Sequence, residues 1–335
     1  MIGLDIAKNV FELHGRNAAG EVVLRRTVKR SQVEKVFSKL PKAVIGLEAC
    51  GSAHHWARVL SKQGHEVRLM PPGYVKPYVK RNKSDAIDAA ACCTAMSQPD
   101  MRFVPVKTID QQAALSLHRS RDLLVRQRTQ VGNALRALLA ESGIVAGKGK
   151  AGLAHLVEQL QAGKLELPAD AIFSATVLAD QHAAVDAAER ALKRRIQAQA
   201  RADKTARLLQ TAPSVGPLIA HATRAILPDP SRFKSGRDFA ASLGLTPSNS
   251  GTGGKTWTGH ITKKGNQGLR RLLVQGATSW IRHVSKRLDK ASPWLRGMLA
   301  RKPRKLVAVA LAARTARVLW AMLTHNQPYR APAIG

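Results

Sequence analysis

The chain has 335 residues, with 54 lysines and arginines against 22 aspartates and glutamates, a net charge of +32 and a pI near 11.1. That length accommodates two or three domains with a sizeable core, and positive charge spread along the chain points to a polyanionic partner, nucleic acid first. Three cysteines with no C-x-x-C pair argue against a disulfide framework or structural zinc and fit a reducing cytoplasm, while the lack of an apolar run of about 18 residues predicts no membrane span.

The chain opens on a strand rather than a signal sequence. Residues 2–7 and 10–14 read as strands, and EVVLRRTV, residues 21–28, as a third strand completing a meander. Ser31 is a helix N-cap, with Pro41 closing that helix. AVIGLEA, 43–49, is short and apolar enough for a buried strand. An amphipathic helix, AHHWARVLSKQ, follows, with His54 and His55 on its surface and Cys50 before it as a small core residue. EVRLMP is a fifth strand, and the basic stretch Lys76 to Lys83 leads to a helix starting at SDAIDAAACC.

From about residue 108 the pattern turns helical. A Leu-, Ala-, Arg- and Gln-rich segment, a helix near 151–162 and a long helix over 169–210 predict a helical hairpin or coiled coil suited to dimerisation. Pro213-Ser214-Val215-Gly216 resembles a helix-hairpin-helix turn, whose N–H groups can hold a phosphate. Residues 232–245 read as helix, 247–266 as a polar loop, and GLRRLLVQGATSWIRHVSKRL as one helix or two. LVAVALAARTARVLWAML reads as a buried helix, and Asn326 to Gly335 as a loose end. Domains are expected at 1–105, 106–205 and 206–335.

Two constellations carry chemistry. Asp5 and Glu48 sit on the first and fourth strands, and Asp85 and Asp88 fall three apart on one helix face. Two carboxylates about 4 Å apart cost on the order of 4 kcal/mol at an effective dielectric near 20, so a cluster of four calls for a divalent cation. Mg²⁺ suits all-oxygen donors and keeps waters for a phosphate substrate. The order three strands, helix, strand, helix, strand, helix resembles that of the ribonuclease H-like fold, also seen in RuvC-type resolvases. The fold class is therefore α/β for the N-terminal part and all-α for most of the rest.

The second constellation is PSNSGTGGKTWTGHITKKGNQGLRRLL, 247–273. Ser248, Ser250 and Thr252 lie among glycines that permit close approach to a phosphate. Lys255, Lys263, Lys264, Arg270 and Arg271 supply charge. A hydroxyl here can attack a phosphate, or the loop can simply bind one. Trp257 stacks on a base or packs. The basic run Lys76, Lys80, Arg81 and Lys83 is expected to hold nucleic-acid backbone.

MIGLDIAK, GLEACGS, KSDAIDA and GLTP through GNQGLRRLL occur in order. Together they resemble the DEDD transposases of insertion sequences, relatives of the Piv-type DNA invertases. The resemblance implies a RuvC-like domain, a coiled coil and a C-terminal transposase domain. It implies DNA recombination guided by a non-coding bridge RNA, in a bacterial cytoplasm at the nucleoid. It also implies a serine that links covalently to DNA. A composite site then forms with the tetrad Asp5, Glu48, Asp85 and Asp88, holding Mg²⁺, from another protomer of a dimer or tetramer. The family's serine lies just before a glycine, five residues after the proline of GLTP. Counted from Pro247 that place is Thr252; Ser250 precedes Gly251 two residues earlier. Chemistry favours Ser250 and position favours Thr252. The competing readings are a metal-dependent Holliday-junction nuclease without a covalent step and a non-catalytic nucleic-acid scaffold.

Overall fold

Alternating apolar residues build the first five strands, and the computed structural model describes residues 1–80, 84–287 and 291–331. β1 (Ile2–Ile6), β2 (Val10–Arg16) and β3 (Val22–Lys29) form the antiparallel meander. A short helix α1 (Val33–Phe37) leads to β4 (Val44–Glu48), which lies parallel to β1. Helix α2 (Ala53–Lys62) crosses over to β5 (Glu66–Met70), parallel to β4. The sheet order is β3-β2-β1-β4-β5. The PPG segment after β5 does not only break the strand: Pro72 opens a one-turn helix, α3 (Pro72–Val75), as proline's fixed φ permits at a first helical position. Helix α4 (Asp85–Met96) closes this part, with the Ser84 hydroxyl accepting from the Ile87 N–H.

Side chains on the two sheet faces have separate partners. Ile2, Leu4, Ile45 and Leu47 point into a core with Phe11, Leu13, Trp56 and Leu60. On the other face β1 and β4 present Gly3 and Gly46, and α4 lies directly on them. A Cβ at Gly3 would stand 2.1 Å from the Ala89 carbonyl oxygen and 2.5 Å from the Cys93 nitrogen; one at Gly46 would stand 2.6 Å from Met96 Sδ. Gly3→Ala is therefore expected to push α4 off the sheet and cost about 1–3 kcal/mol. A lowered melting temperature together with weaker activity checks this. Cys50 is exposed rather than in the core, because it falls in the turn after β4 where no packed face exists.

The chain divides into two compact units, Met1–Thr108 and Ile109–Gly335. The second begins with α5 (Ile109–Ala140), α6 (Gly149–Gln161) and α7 (Ala169–Ala202). α5 and α7 run antiparallel: Arg121 pairs with Glu189 at 2.8 Å, Arg128 with Asp186 at 2.8 Å and with Glu189 at 3.1 Å. The long helix expected to 210 breaks at Asp203, whose carboxylate caps α8 (Lys204–Leu209) by accepting from the Ala206 N–H. The turn at 213–216 joins α8 to α9 (Pro217–Ile226), with Ser214 in the left-handed region at φ 66°. The helix read over 232–245 is shorter, α10 (Gly236–Ser242), started by the Ser235 cap.

Residues 247–261 are not a loop. β6 (Pro247–Thr252) and β7 (Lys255–Ile261) form a two-stranded antiparallel ribbon. Gly253 (φ 54°) and Gly254 (φ 77°) make the two-residue turn that demands positive φ at both positions. Then come α11 (Gln267–Val284), α12 (Pro293–Arg301) and α13 (Arg304–His325). Among the described residues α13 is long and apolar enough for a membrane span, against the sequence expectation of none. Its Val307, Ala312, Ala316 and Leu319 are instead buried in the core that α9, α10 and α11 share. The segment after α13 is not wholly loose, since the Tyr329 N–H donates to the Thr211 hydroxyl at 2.9 Å.

This helical unit buries a polar chain. His118 of α5 meets His221 of α9 at 2.9 Å, and His221 meets Gln199 of α7 at 2.9 Å. Burial first, then His221 and Arg121, push the His118 pKa down to about 4. Burial also lowers His221. Both imidazoles are therefore neutral in the fold at pH 7. A lowered folded pKa means stability is full above about 6.5 and is lost as pH falls toward 4, by on the order of 2–3 kcal/mol. Thermal melts between pH 7 and pH 4 are expected to show this loss, and His118→Gln to reduce it.

Candidate active site

A four-residue repeat sets the first site. Ile2-Gly3-Leu4-Asp5 and Ile45-Gly46-Leu47-Glu48 lie side by side in parallel register, with Gly3 opposite Gly46 and Leu4 opposite Leu47. Asp5 and Glu48 follow at the same end of neighbouring strands, on the α4 face by the period of two. The first turn of α4 carries Asp85 and Asp88, where the helix dipole favours negative charge. The structure thus gathers the four acids around one end of the sheet. Burial, then Asp85, Asp88 and Glu48, raise the Asp5 carboxyl to about pKa 6, against one opposing backbone hydrogen bond from Ile6. Cys92, one helical turn past Asp88, is buried below them, and burial with Asp5 and Glu48 pushes its thiol up to about 12. It is a packing residue, not a nucleophile.

The acids are near neighbours rather than a closed cage. Among the described residues no three His, Cys, Asp or Glu side chains form a ready metal-holding group. The donor set is nonetheless all carboxylate, and Asp5 is raised by burial first and then by its negative neighbours. That chemistry fits a hard divalent ion, which would remove the repulsion.

The ribbon places Ser250 opposite Trp257 and Thr252 opposite Lys255. By strand alternation Ser250 and Thr252 share one face, while the register shift between Pro247 and Asn249 falls at Ser248. Ser248 is engaged, its hydroxyl donating to the His260 carbonyl at 3.1 Å. Every residue from Pro247 to His260 is exposed, and Trp257 is 55% exposed. Trp257 therefore stands clear of the core, available to stack.

The predicted cations differ in freedom. Lys76, Lys80, Lys255, Lys263 and Lys264 are exposed. Arg270 instead clamps the base of the ribbon, donating to the Leu243 carbonyl at 2.6 Å and the Lys264 carbonyl at 2.7 Å. Arg271 is ion-paired with Asp122. Arg81 and Lys83 lie outside the described residues. Sequence reasoning missed Lys107, whose N–H donates to His54 Nδ1 at 3.2 Å, and which ties that imidazole down.

Two family models match the chain, one toward each end. The model of a transposase family, the IS110-type DEDD transposases, matches residues 2–144, and that of the "Transposase IS116/IS110/IS902 family" matches residues 206–292. The chain is 45% identical over 331 residues to the "Probable family 20 transposase" of Pseudomonas aeruginosa, covering 98% of each chain. It is 37% identical over 326 residues to the "Transposase for insertion sequence element IS1328" of Yersinia enterocolitica, covering 97% of each. With the "Transposase for insertion sequence element IS1111A" of Coxiella burnetii it shares 36% over 340 residues, 99% of this chain and 92% of the other.

Proposed function

Because the chain belongs to the IS116/IS110/IS902 transposase family and is a DNA transposase, we propose that it cuts and rejoins element DNA through a covalent hydroxyl–phosphate intermediate. Asp5, Glu48, Asp85 and Asp88 are the catalytic acids in this reading. The observation that carries it is the parallel register that brings Asp5 and Glu48 together under the first turn of α4, with Asp5 raised to about 6 by burial first and then by its acidic neighbours.

A DEDD transposase domain implies a divalent metal, and the four carboxylates would hold it as Mg²⁺. When bound, the ion supplies Lewis-acid stabilisation of a phosphodiester. The protein's own part is to fix the acids on two strands and a helix start, and to offer a hydroxyl on the ribbon. Ser250 is the favoured nucleophile on chemistry, since a primary hydroxyl is less hindered than that of Thr252. Its oxygen forms a bond to phosphorus and a DNA oxygen departs with the electron pair. Lys255, across from Thr252, and the exposed Lys263 and Lys264 offset phosphate charge.

The strand order β3-β2-β1-β4-β5 supports a RuvC-like, ribonuclease H-like reading of residues 1–105. The antiparallel helices within 106–205 suit a coiled coil that pairs protomers into a dimer or tetramer, with the transposase region at 206–335. Guidance by a bridge RNA and a place at the nucleoid agree with the charge of +32. The test is to mix the full-length protein, its RNA, element-end DNA and Mg²⁺, denature, and look for DNA bound covalently to protein. An adduct mapping to 247–255 supports the reading. Nicked DNA without an adduct replaces it with a nuclease that uses water.

A further inference from the structure

Behind the 213–216 turn lies an open-sided cavity of about 760 Å³, within the roughly 300–1,000 Å³ of small-ligand sites. It belongs entirely to the second unit. Val215, Ile219 and Leu272 give it an apolar floor. Gly276 sets its depth, because a Cβ there would stand 2.5 Å from both the Ser214 carbonyl oxygen and Ile219 Cδ1. The turn therefore rests on bare α11 backbone, and Trp280, one helical turn further, walls the gap.

The walls have an aromatic plane and unused polar groups. Trp280 and His283 lie with ring centroids 5.7 Å apart and planes 33° apart. Gln275 and Ser279, at the exposed rim of the same helix, make no side-chain hydrogen bond among the described residues. Arg121 enters from α5, steadied by Glu189 at 2.8 Å. The first turn of α9 has no side-chain cap. Among the described residues no Asp or Glu lines the cavity. A ligand that suits this lining has a flat aromatic part, an edge with hydrogen-bonding groups and a negative charge.

The geometry points to a site for one unpaired nucleotide of a nucleic-acid strand, its base on Trp280, its edge at Gln275 and Ser279, and its phosphate toward Arg121 and the α9 start. Strand exchange must unpair bases, and a pocket that receives one lowers that cost. This rests on the protein's being a DNA transposase, not on which residue is its nucleophile.

The test uses full-length protein carrying Asp5→Asn, without Mg²⁺, so that strand chemistry plays no part. Fluorescence anisotropy measures binding of a short single strand containing 2-aminopurine, made as DNA and as RNA, and of the corresponding duplex. Trp280→Ala is expected to weaken single-strand binding about tenfold, as stacking losses do, with duplex binding unchanged and Trp280→Phe restoring most of it. Ser279→Trp, at an exposed rim position, fills the cavity without touching the core and is expected to give the same loss. Whichever of the DNA and RNA arms shows the loss names the source of the nucleotide. Wild-type single-strand affinity in both Trp280→Ala and Ser279→Trp overturns the proposal, as does an equal fall for single strand and duplex.

Discussion

Asp5→Asn is expected to slow DNA strand cleavage by about 10³-fold or more, since a metal site contributes several kcal/mol and each 1.36 kcal/mol is tenfold. The substitution keeps the shape of the side chain and removes the charge at the centre of the cluster. Asp85, Asp88 and Glu48 all act on Asp5, so one neutral amide there weakens the hold on any cation the four share. Affinity for nucleic acid should stay the same or rise slightly, because an anion facing a polyanion is gone. Glu12→Gln is the matched control. Glu12 lies directly across from Asp5 on β2, but Thr27 donates to its carboxylate at 2.7 Å. Its loss should leave cleavage within about twofold, an effect of less than 1 kcal/mol. Gel assays of labelled element ends measure the rate, and anisotropy the binding. Wild-type cleavage by Asp5→Asn would remove the acid site from the mechanism.

Ser250→Ala is expected to eliminate the covalent protein–DNA species altogether, because no bond to phosphorus can form without the oxygen. Thr252→Ala should leave the species detectable at a reduced level, since Thr252 flanks the Gly253-Gly254 turn and its loss disturbs only the tip of the ribbon. Mass spectrometry of the digested adduct locates the modified residue. If the two variants behave the other way round, Thr252 is the nucleophile. If both retain the adduct, the attacking oxygen lies outside the ribbon. Because every residue around Ser250 is solvent-exposed, neither substitution costs core packing, and lost adduct cannot be put down to unfolding.

Much of the first unit was legible because its strands are short, apolar and punctuated by polar turns. The five strands, their order and the helix carrying Asp85 and Asp88 all follow from period and caps. The register of β1 against β4 was written in the chain twice, as IGLD and IGLE, but a pairing between distant segments shows only when the two copies are laid side by side. The ribbon went unread for a different reason. Its T-G-G-K turn is a hairpin signal, yet the flanking residues are small and polar, and without an apolar face period-two patterning has nothing to mark. Arg270 and Arg271 looked like phosphate ligands from charge alone, whereas carbonyls of the ribbon base and Asp122 already occupy them. Charge is a property of sequence, while availability depends on which oxygens the fold brings near.

The bare seat beneath α4 has a genetic consequence. Glycine is encoded by GG followed by any base, so every change to the first two letters of the Gly3 or Gly46 codon either adds a side chain or ends the protein. An added Cβ would stand 2.1 Å from the Ala89 carbonyl oxygen at Gly3 and 2.6 Å from Met96 Sδ at Gly46, so such a change presses on the segment that carries half of the acids. These two codons, which carry no reacting group themselves, should be among the most frequent points at which decaying copies of the gene fall silent.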